Sequence, residues 1–229
     1  MITNIIITMK NNHYKHTSKI KKLLSPILFC AFVIFSFEAI ARPVAYPGGV
    51  SVMQHNDYIT NNIHLNYTLT GKDTIGVMSE YQRQEKFLLN TVQYTRVLQR
   101  WNQDDSQGNL YFVGGLGGAE IKNNFESGGL AGIEADWEDR RFYLFYRNSL
   151  MKVESQSTQF REMARVGVAP YIGGYNDLNT WFILQLDHTP QADKNFVATP
   201  VLRFFKGAYL VEFGVSTNKT VLFNFMTIF

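Results

Sequence analysis

Cysteine is nearly absent: Cys30 is the only one in 229 residues, which excludes a disulfide-stapled fold, because such a fold needs thiols in pairs. Charge is also thin. Asp, Glu, Lys and Arg make up 18% of the chain, below the roughly 25% of an average soluble domain. A slightly negative mean hydropathy excludes a polytopic helical membrane protein, whose spans need roughly 20 apolar residues each. Beyond Ala41 there is no apolar stripe of useful length at 3.6-residue spacing, so no amphipathic helix is predicted. Aromatic residues, by contrast, are plentiful. The 18 Phe, 12 Tyr and 3 Trp carry far more apolar surface than a disordered chain does, and the length fits one domain or at most two small ones.

The N-terminus reads as an address. Lys10, Lys15, Lys19, Lys21 and Lys22 come with no acidic residue, then the uncharged stretch Leu23 to Phe37, then Ala39-Ile40-Ala41. A basic region, a short apolar run and a small-x-small site predict a secretory signal peptide cleaved after Ala41, with Met9 as an alternative start and an uncleaved anchor as the competing reading. Phe29 stands where a lipoprotein needs a small residue before its cysteine. The expected mature chain, 42–229, then has no cysteine and needs no oxidative folding step. Its charge also changes sign. Removing five lysines and Glu38 from totals of 22 basic and 19 acidic residues leaves 17 and 18, a net of −1. The basic pI near 8.9 therefore belongs to the leader, and nucleic acid is not predicted as a partner.

Period-two alternation recurs along the mature chain. Ile63, Leu65, Tyr67 and Leu69 alternate with His64, Asn66 and Thr68, and Ala131, Ile133, Ala135 and Trp137 alternate with Gly132, Glu134 and Asp136. Turn signals such as Thr70-Gly71-Lys72-Asp73 and Lys206-Gly207 separate the runs. Together they predict an all-β, antiparallel transmembrane barrel of about twelve strands: 50–56, 61–70, 73–84, 87–101, 109–121, 127–138, 140–152, 159–169, 178–188, 196–205, 208–217 and 219–229. Ten strands is the alternative, and every connection is expected to be about eight residues or shorter. A charge in the lipid-facing wall costs about 2–4 kcal/mol at the midplane. The polar face is therefore expected to look inward, with Glu80, Glu134, Asp136, Asp187 and Glu212 facing Arg147, Arg161, Arg165 and Arg203 across a lumen. Arg96 breaks this rule, falling on the outward face of Val92, Tyr94 and Leu98, so either it reaches the headgroups or a bulge shifts the register. The glycine-rich run Gly114 to Gly118 lacks the helix and Lys-Ser/Thr pair of a phosphate loop; a sharply curved strand or one overlaid by bulky neighbours is expected instead. Tyr46, Trp101, Trp137, Tyr143, Tyr146 and Trp181 fall near strand ends, where they would form aromatic girdles.

The chain ends Val221-Leu222-Phe223-Asn224-Phe225-Met226-Thr227-Ile228-Phe229, with Val221, Phe223, Phe225 and Phe229 on one strand face. This end resembles the bacterial outer-membrane β-barrels of Gram-negative cells, whose last strand finishes on an aromatic residue; Thr227 departs from the pattern. The resemblance implies that Phe223, Phe225 and Phe229 are read by the barrel-assembly machinery, with periplasmic chaperones and outer-membrane lipids as further partners. Arg42-Pro43-Val44-Ala45-Tyr46-Pro47-Gly48-Gly49 and Met53-Gln54-His55-Asn56-Asp57 resemble the opening of a group of small outer-membrane proteins of uncharacterised function, which implies kinship more than activity.

Three functions follow in order of expectation. The first is a narrow porin-like conduit for small solutes or ions. The second is a structural, envelope-integrity barrel with a side-chain-filled lumen, since small barrels fill their interiors and buried charges demand partners. The third, a lipid-modifying enzyme, is disfavoured. Its chemistry calls for a His paired with Ser or a carboxylate, and the adjacent Asp187 and His188 point to opposite faces of a strand. No catalytic residue and no cofactor are expected. Met53 and His55 share a strand face and are weak candidates for a soft metal.

Overall fold

A computed structural model describes residues 44–174 and 176–229; the expected export segment, Arg42 and Pro43 lie outside them. Twelve strands form: β1 Val50–Asn56, β2 Thr60–Thr68, β3 Asp73–Gln82, β4 Phe87–Asn102, β5 Ser106–Ile121, β6 Asn124–Asp139, β7 Phe142–Val153, β8 Gln159–Val168, β9 Asn179–His188, β10 Phe196–Lys206, β11 Tyr209–Val215 and β12 Val221–Ile228. Each pairs antiparallel with its sequence neighbours, and β1 pairs with β12 to close the barrel. At the seam the Val50 N–H donates to the Phe229 carbonyl at 3.0 Å and the Phe229 N–H returns the bond at 2.8 Å. Closure matters energetically, because it leaves no row of unpaired backbone groups. With an even number of strands, the start of β1 and the end of β12 share one rim, the near rim; the β1–β2 connection lies on the far rim.

The boundaries match the alternation closely, and Val50–Asn56 is a full strand with partners on both sides, which sets the ten-strand alternative aside. One connection is longer than expected: ten residues, 169–178, join β8 to β9. The outer wall is apolar on most strands. Ile63, Val77, Val92, Leu144, Val166, Leu184 and Phe213 are exposed, Val166 by 51%. The core sits inside the wall. Phe87, Leu89, Ala119 and Val153 cluster toward the far rim, Tyr143, Ile183, Val201 and Leu222 form a second cluster, and at the near rim the segment before β1 tucks in, with Val44 buried against Val97 and Tyr111.

The register of β4 slips between Val97 and Gln99 against β5. Leu98 is the extra residue of this bulge, and it reverses the alternation that follows. Trp101 turns outward and Arg100 turns in, where its Nε donates to Asn109 Oδ1 at 2.7 Å. Arg96 lies before the bulge and stays outside, paired with Asp73 at 2.8 Å and hydrogen-bonded to the Tyr94 hydroxyl. In the glycine-rich run, a Cβ at Gly117 would sit 1.9 Å from the Asn90 carbonyl oxygen, and one at Gly118 2.2 Å from the Phe125 ring. Close strand approach and an overlying ring, not a ligand, require glycine there.

Two expectations fail in part. Trp101, Trp137 and Tyr146 are exposed on the outer wall, but Tyr143 and Trp181 meet inside it at 6.3 Å, and Tyr46 packs against Ala208 and Ile228. Strand parity decides the side, and the interior needs the volume that these rings supply. Nor do all strand charges face inward. Asp73, Arg96 and Glu162 are outside, each with a polar partner.

Candidate functional site: the lumen

The inward rows of the twelve strands bring the polar residues of distant segments together. All nine sequence-predicted lumen residues lie on the inner wall, eight of them in four groups and Glu80 apart. Glu212, 2% exposed, is the hub of the first. Its carboxylate accepts Arg203 Nε at 2.7 Å, Arg165 Nη1 at 3.1 and 3.2 Å, and Asn224 Nδ2 at 2.7 Å. Two cations and an amide thus surround one anion, which is the condition for a buried carboxylate to stay charged. Arg203 also lies over the Tyr143 ring, 4.3 Å from its centroid.

In the second group, Arg161 Nη2 donates at 2.7 Å both to Asp187 Oδ1 on the adjoining β9 and to Asp57 Oδ2 in the β1–β2 connection. Strand β8 and that connection are separated by β9, β10, β11 and β12, so this guanidinium reaches nearly the opposite wall. Asp57 has two tasks. Its Oδ1 accepts the N–H groups of Ile59 and Thr60 at 2.8 Å and so folds the connection inward, leaving Oδ2 for Arg161. Burial works against its charge, yet Arg161 and the backbone donors hold its carboxyl below the usual aspartate range. Tyr58, in the same connection, lies beside the guanidinium at 5.9 Å and contacts Thr189 Oγ1.

The third group is Glu134 with Arg147, paired at 2.8 Å between β6 and β7; the fourth is Asp136, which accepts Asn109 Nδ2 at 2.7 Å. Glu80 stands apart, with amide partners only: Asn62 Nδ2 at 3.0 Å and Gln82 Nε2 at 2.6 Å. Between these groups remain two cavities of about 140 Å³ each, sharing a partition that includes Met53, His55, Glu134, Arg147, Arg161 and Met163. Met53 and His55 therefore do face the lumen, and the His55 and His64 rings meet edge-on at 5.8 Å.

Sequence reasoning missed three participants. Asp57 lies in a turn, where alternation assigns no face. Arg100 is brought inside by a bulge. Glu162 is the partner of His188: His188 Nδ1 lies 2.9 Å from Glu162 Oε2, and the Tyr146 hydroxyl donates to Glu162 Oε1 at 2.7 Å. This cluster is on the outer wall, whereas Asp187 is inside, as the opposed faces of adjacent residues require. The Phe196 ring stacks on that of His188 at 4.3 Å.

Fold and interior define the class: a closed, twelve-stranded antiparallel β-barrel with a largely apolar outer wall and a lumen crossed by the Arg161–Asp57 ion pair. No protein-family model matches the chain, and comparison with curated proteins finds no relative. Among the described residues no helix is long and apolar enough to cross a membrane, which says nothing of strands.

Proposed function

We propose that the chain is a bacterial outer-membrane barrel, exported by residues 1–41 and inserted by the assembly machinery through Phe223, Phe225 and Phe229, whose lumen is latched shut by side chains. The membrane setting is supported by the outer wall. Contiguous apolar surface on monomeric soluble proteins rarely exceeds a few hundred Å², whereas here exposed Leu, Ile, Val and Phe recur on strand after strand. The outward charges of Asp73, Arg96 and Glu162 do not contradict this, since these three are paired beside a tyrosine, Asp73 and Arg96 with Tyr94 and Glu162 with Tyr146.

The observation that carries the latched reading is the reach of Arg161 from β8 to Asp57. A wide aqueous pore leaves no occasion for a guanidinium to cross it and meet two carboxylates. The expected function is accordingly that of an envelope barrel, closed at rest and non-enzymatic. A narrow conduit for small solutes or ions is the second reading, favoured by the two cavities, whose shared partition includes Arg161.

Planar-bilayer recording separates the two. Wild-type protein is expected to be silent at neutral pH, and Arg161→Gln, which frees the β1–β2 connection, is expected to give discrete openings. Steady conductance from the wild type would sink the latched reading. Acid acts in a definable window. Because the folded pKa of Asp57 is depressed, the latch keeps its full strength above the unfolded aspartate value of about 3.9 and loses it only as pH falls through the lower folded value. Openings that appear already between pH 5 and 6 would point to another group.

A further inference from the structure

We propose that the inner wall of β1, β2 and β3 is a binding site for a soft monovalent cation, Cu(I), held by thioether and imidazole donors. The argument begins with where methionine is absent. The chain beyond residue 41 has five, Met53, Met78, Met151, Met163 and Met226, and all five line the two lumen cavities. None is on the outer wall, although thioether side chains are apolar enough for lipid. The exposed large hydrophobic residues there are Leu, Ile, Val, Phe, Tyr and Trp.

Register then places three of the five in one row. Met226 of β12 pairs with Met53 of β1, Met53 with His64 of β2, and His64 with Met78 of β3. Directly paired residues on one sheet face hold their Cβ atoms about 4.5–5.5 Å apart, so four consecutive inward positions present sulfur, sulfur, imidazole and sulfur. His55 sits one step along β1 on the same face, its ring against that of His64. Met53, His55, His64 and Met78 line the same cavity, and the three rotatable bonds of each methionine let two sulfur atoms and an imidazole close on a shared point; Met226, at the end of the row, faces the second cavity. The thioethers already face polar groups, with Gln93 Nε2 at 3.1 Å from Met78 Sδ and Asn66 Nδ2 at 3.9 Å from Met53 Sδ. Glu80 is two residues beyond Met78 on the same face, with the amides of Asn62 and Gln82 as its hydrogen-bond partners.

Donor softness selects the ion. Thioether ligands favour Cu(I), whereas Mg(II), Ca(II) and Mn(II) want oxygen. Among the described residues no group of three or more His, Cys, Asp or Glu has metal-holding geometry, so a borderline ion such as Zn(II) finds no competing cage. Binding involves no electron transfer and does not require the lumen to conduct, so the site stands or falls separately from the latched reading.

The test uses the barrel folded in detergent, labelled with ¹³C at the methionine methyl groups and titrated with Ag(I), a redox-inert probe for Cu(I), in chloride-free buffer. Saturable binding of one Ag(I) per barrel is expected, shifting the methyl signals of Met53 and Met78 most and leaving that of Met226, which lines the other cavity but not the site's, in place. The volume-conserving double variant Met53→Leu/Met78→Leu is expected to lose saturable binding, and His64→Gln to weaken it. Anaerobic Cu(I) should show sulfur and nitrogen neighbours by X-ray absorption. The proposal is overturned if folded wild-type protein does not bind Ag(I) saturably, if all five methyl signals shift together, or if the double variant binds as the wild type does. Should that variant not fold, the methyl pattern of the wild type decides alone.

Discussion

Glu212→Leu is expected to cost the folded barrel about 3–5 kcal/mol, read as a lower urea midpoint of vesicle-refolded protein followed by tryptophan fluorescence. The substitution removes the one carboxylate that both Arg165 and Arg203 contact, leaving two guanidinium groups in the wall with an uncompensated charge. A triple variant, Arg165→Met/Arg203→Met/Glu212→Leu, is expected to regain most of the loss, because the desolvation cost of all three charges disappears with them and the apolar replacements still fill the space. If Glu212→Leu instead stays within about 0.5 kcal/mol of wild type, as a surface substitution would, water reaches the hub freely and the lumen is wetter than a filled one.

Leu184→Arg carries the second large effect. Leu184 is at the middle of β9, on the outer wall and 43% exposed, while its neighbour Gln185 faces inward and is buried. In a bilayer an arginine at mid-wall costs about 2–4 kcal/mol. The same substitution at a water-exposed strand position falls within about 0.5 kcal/mol of neutral. Comparing the urea midpoint of Leu184→Arg in vesicles with that of Tyr209→Arg, near the rim, therefore reports the solvent around the barrel. A cost that does not depend on height along the wall would sink the membrane setting.

Much of this architecture was legible because a barrel wall obeys one rule, alternate sides for alternate residues, and charge reveals which side is which. Glu134 and Asp136 against Ala135 and Trp137 are enough to orient β6 without any structure. The rule fails where backbone geometry breaks it. The Leu98 bulge hides Arg100 and sends Trp101 outward, and no residue type at that place announces it. It also fails for aromatic residues, which suit either side: Tyr143 and Trp181 satisfy the same expectation as Tyr146 yet pack inside. Pairings across the lumen were beyond reach for a different reason. Arg161 and Asp57 are 104 residues apart, and alternation states which face a residue occupies but not which side chain it meets. His188 illustrates the cost of sequence proximity as a guide, since Asp187 is adjacent and useless to it while Glu162, 26 positions away, is its partner.

The seating of Val44 sets an order of events. Its pocket is made by Val97 and Tyr111 on β4 and β5, while Ala45 and Tyr46 rest on Ala208 and Ile228 from the last strands of the chain. Those two surfaces face one another only after β1 and β12, joined across positions 50 and 229, have met, and that is the contact with the largest loop-closure cost in the chain. The segment from Val44 to Gly49 is held by Thr68 of β2 and by the β4–β5 pocket, but its seating is complete only once the seam has closed. A barrel with an open seam covers it on one side only, so a protease added from the near side distinguishes finished molecules from unfinished ones during assembly.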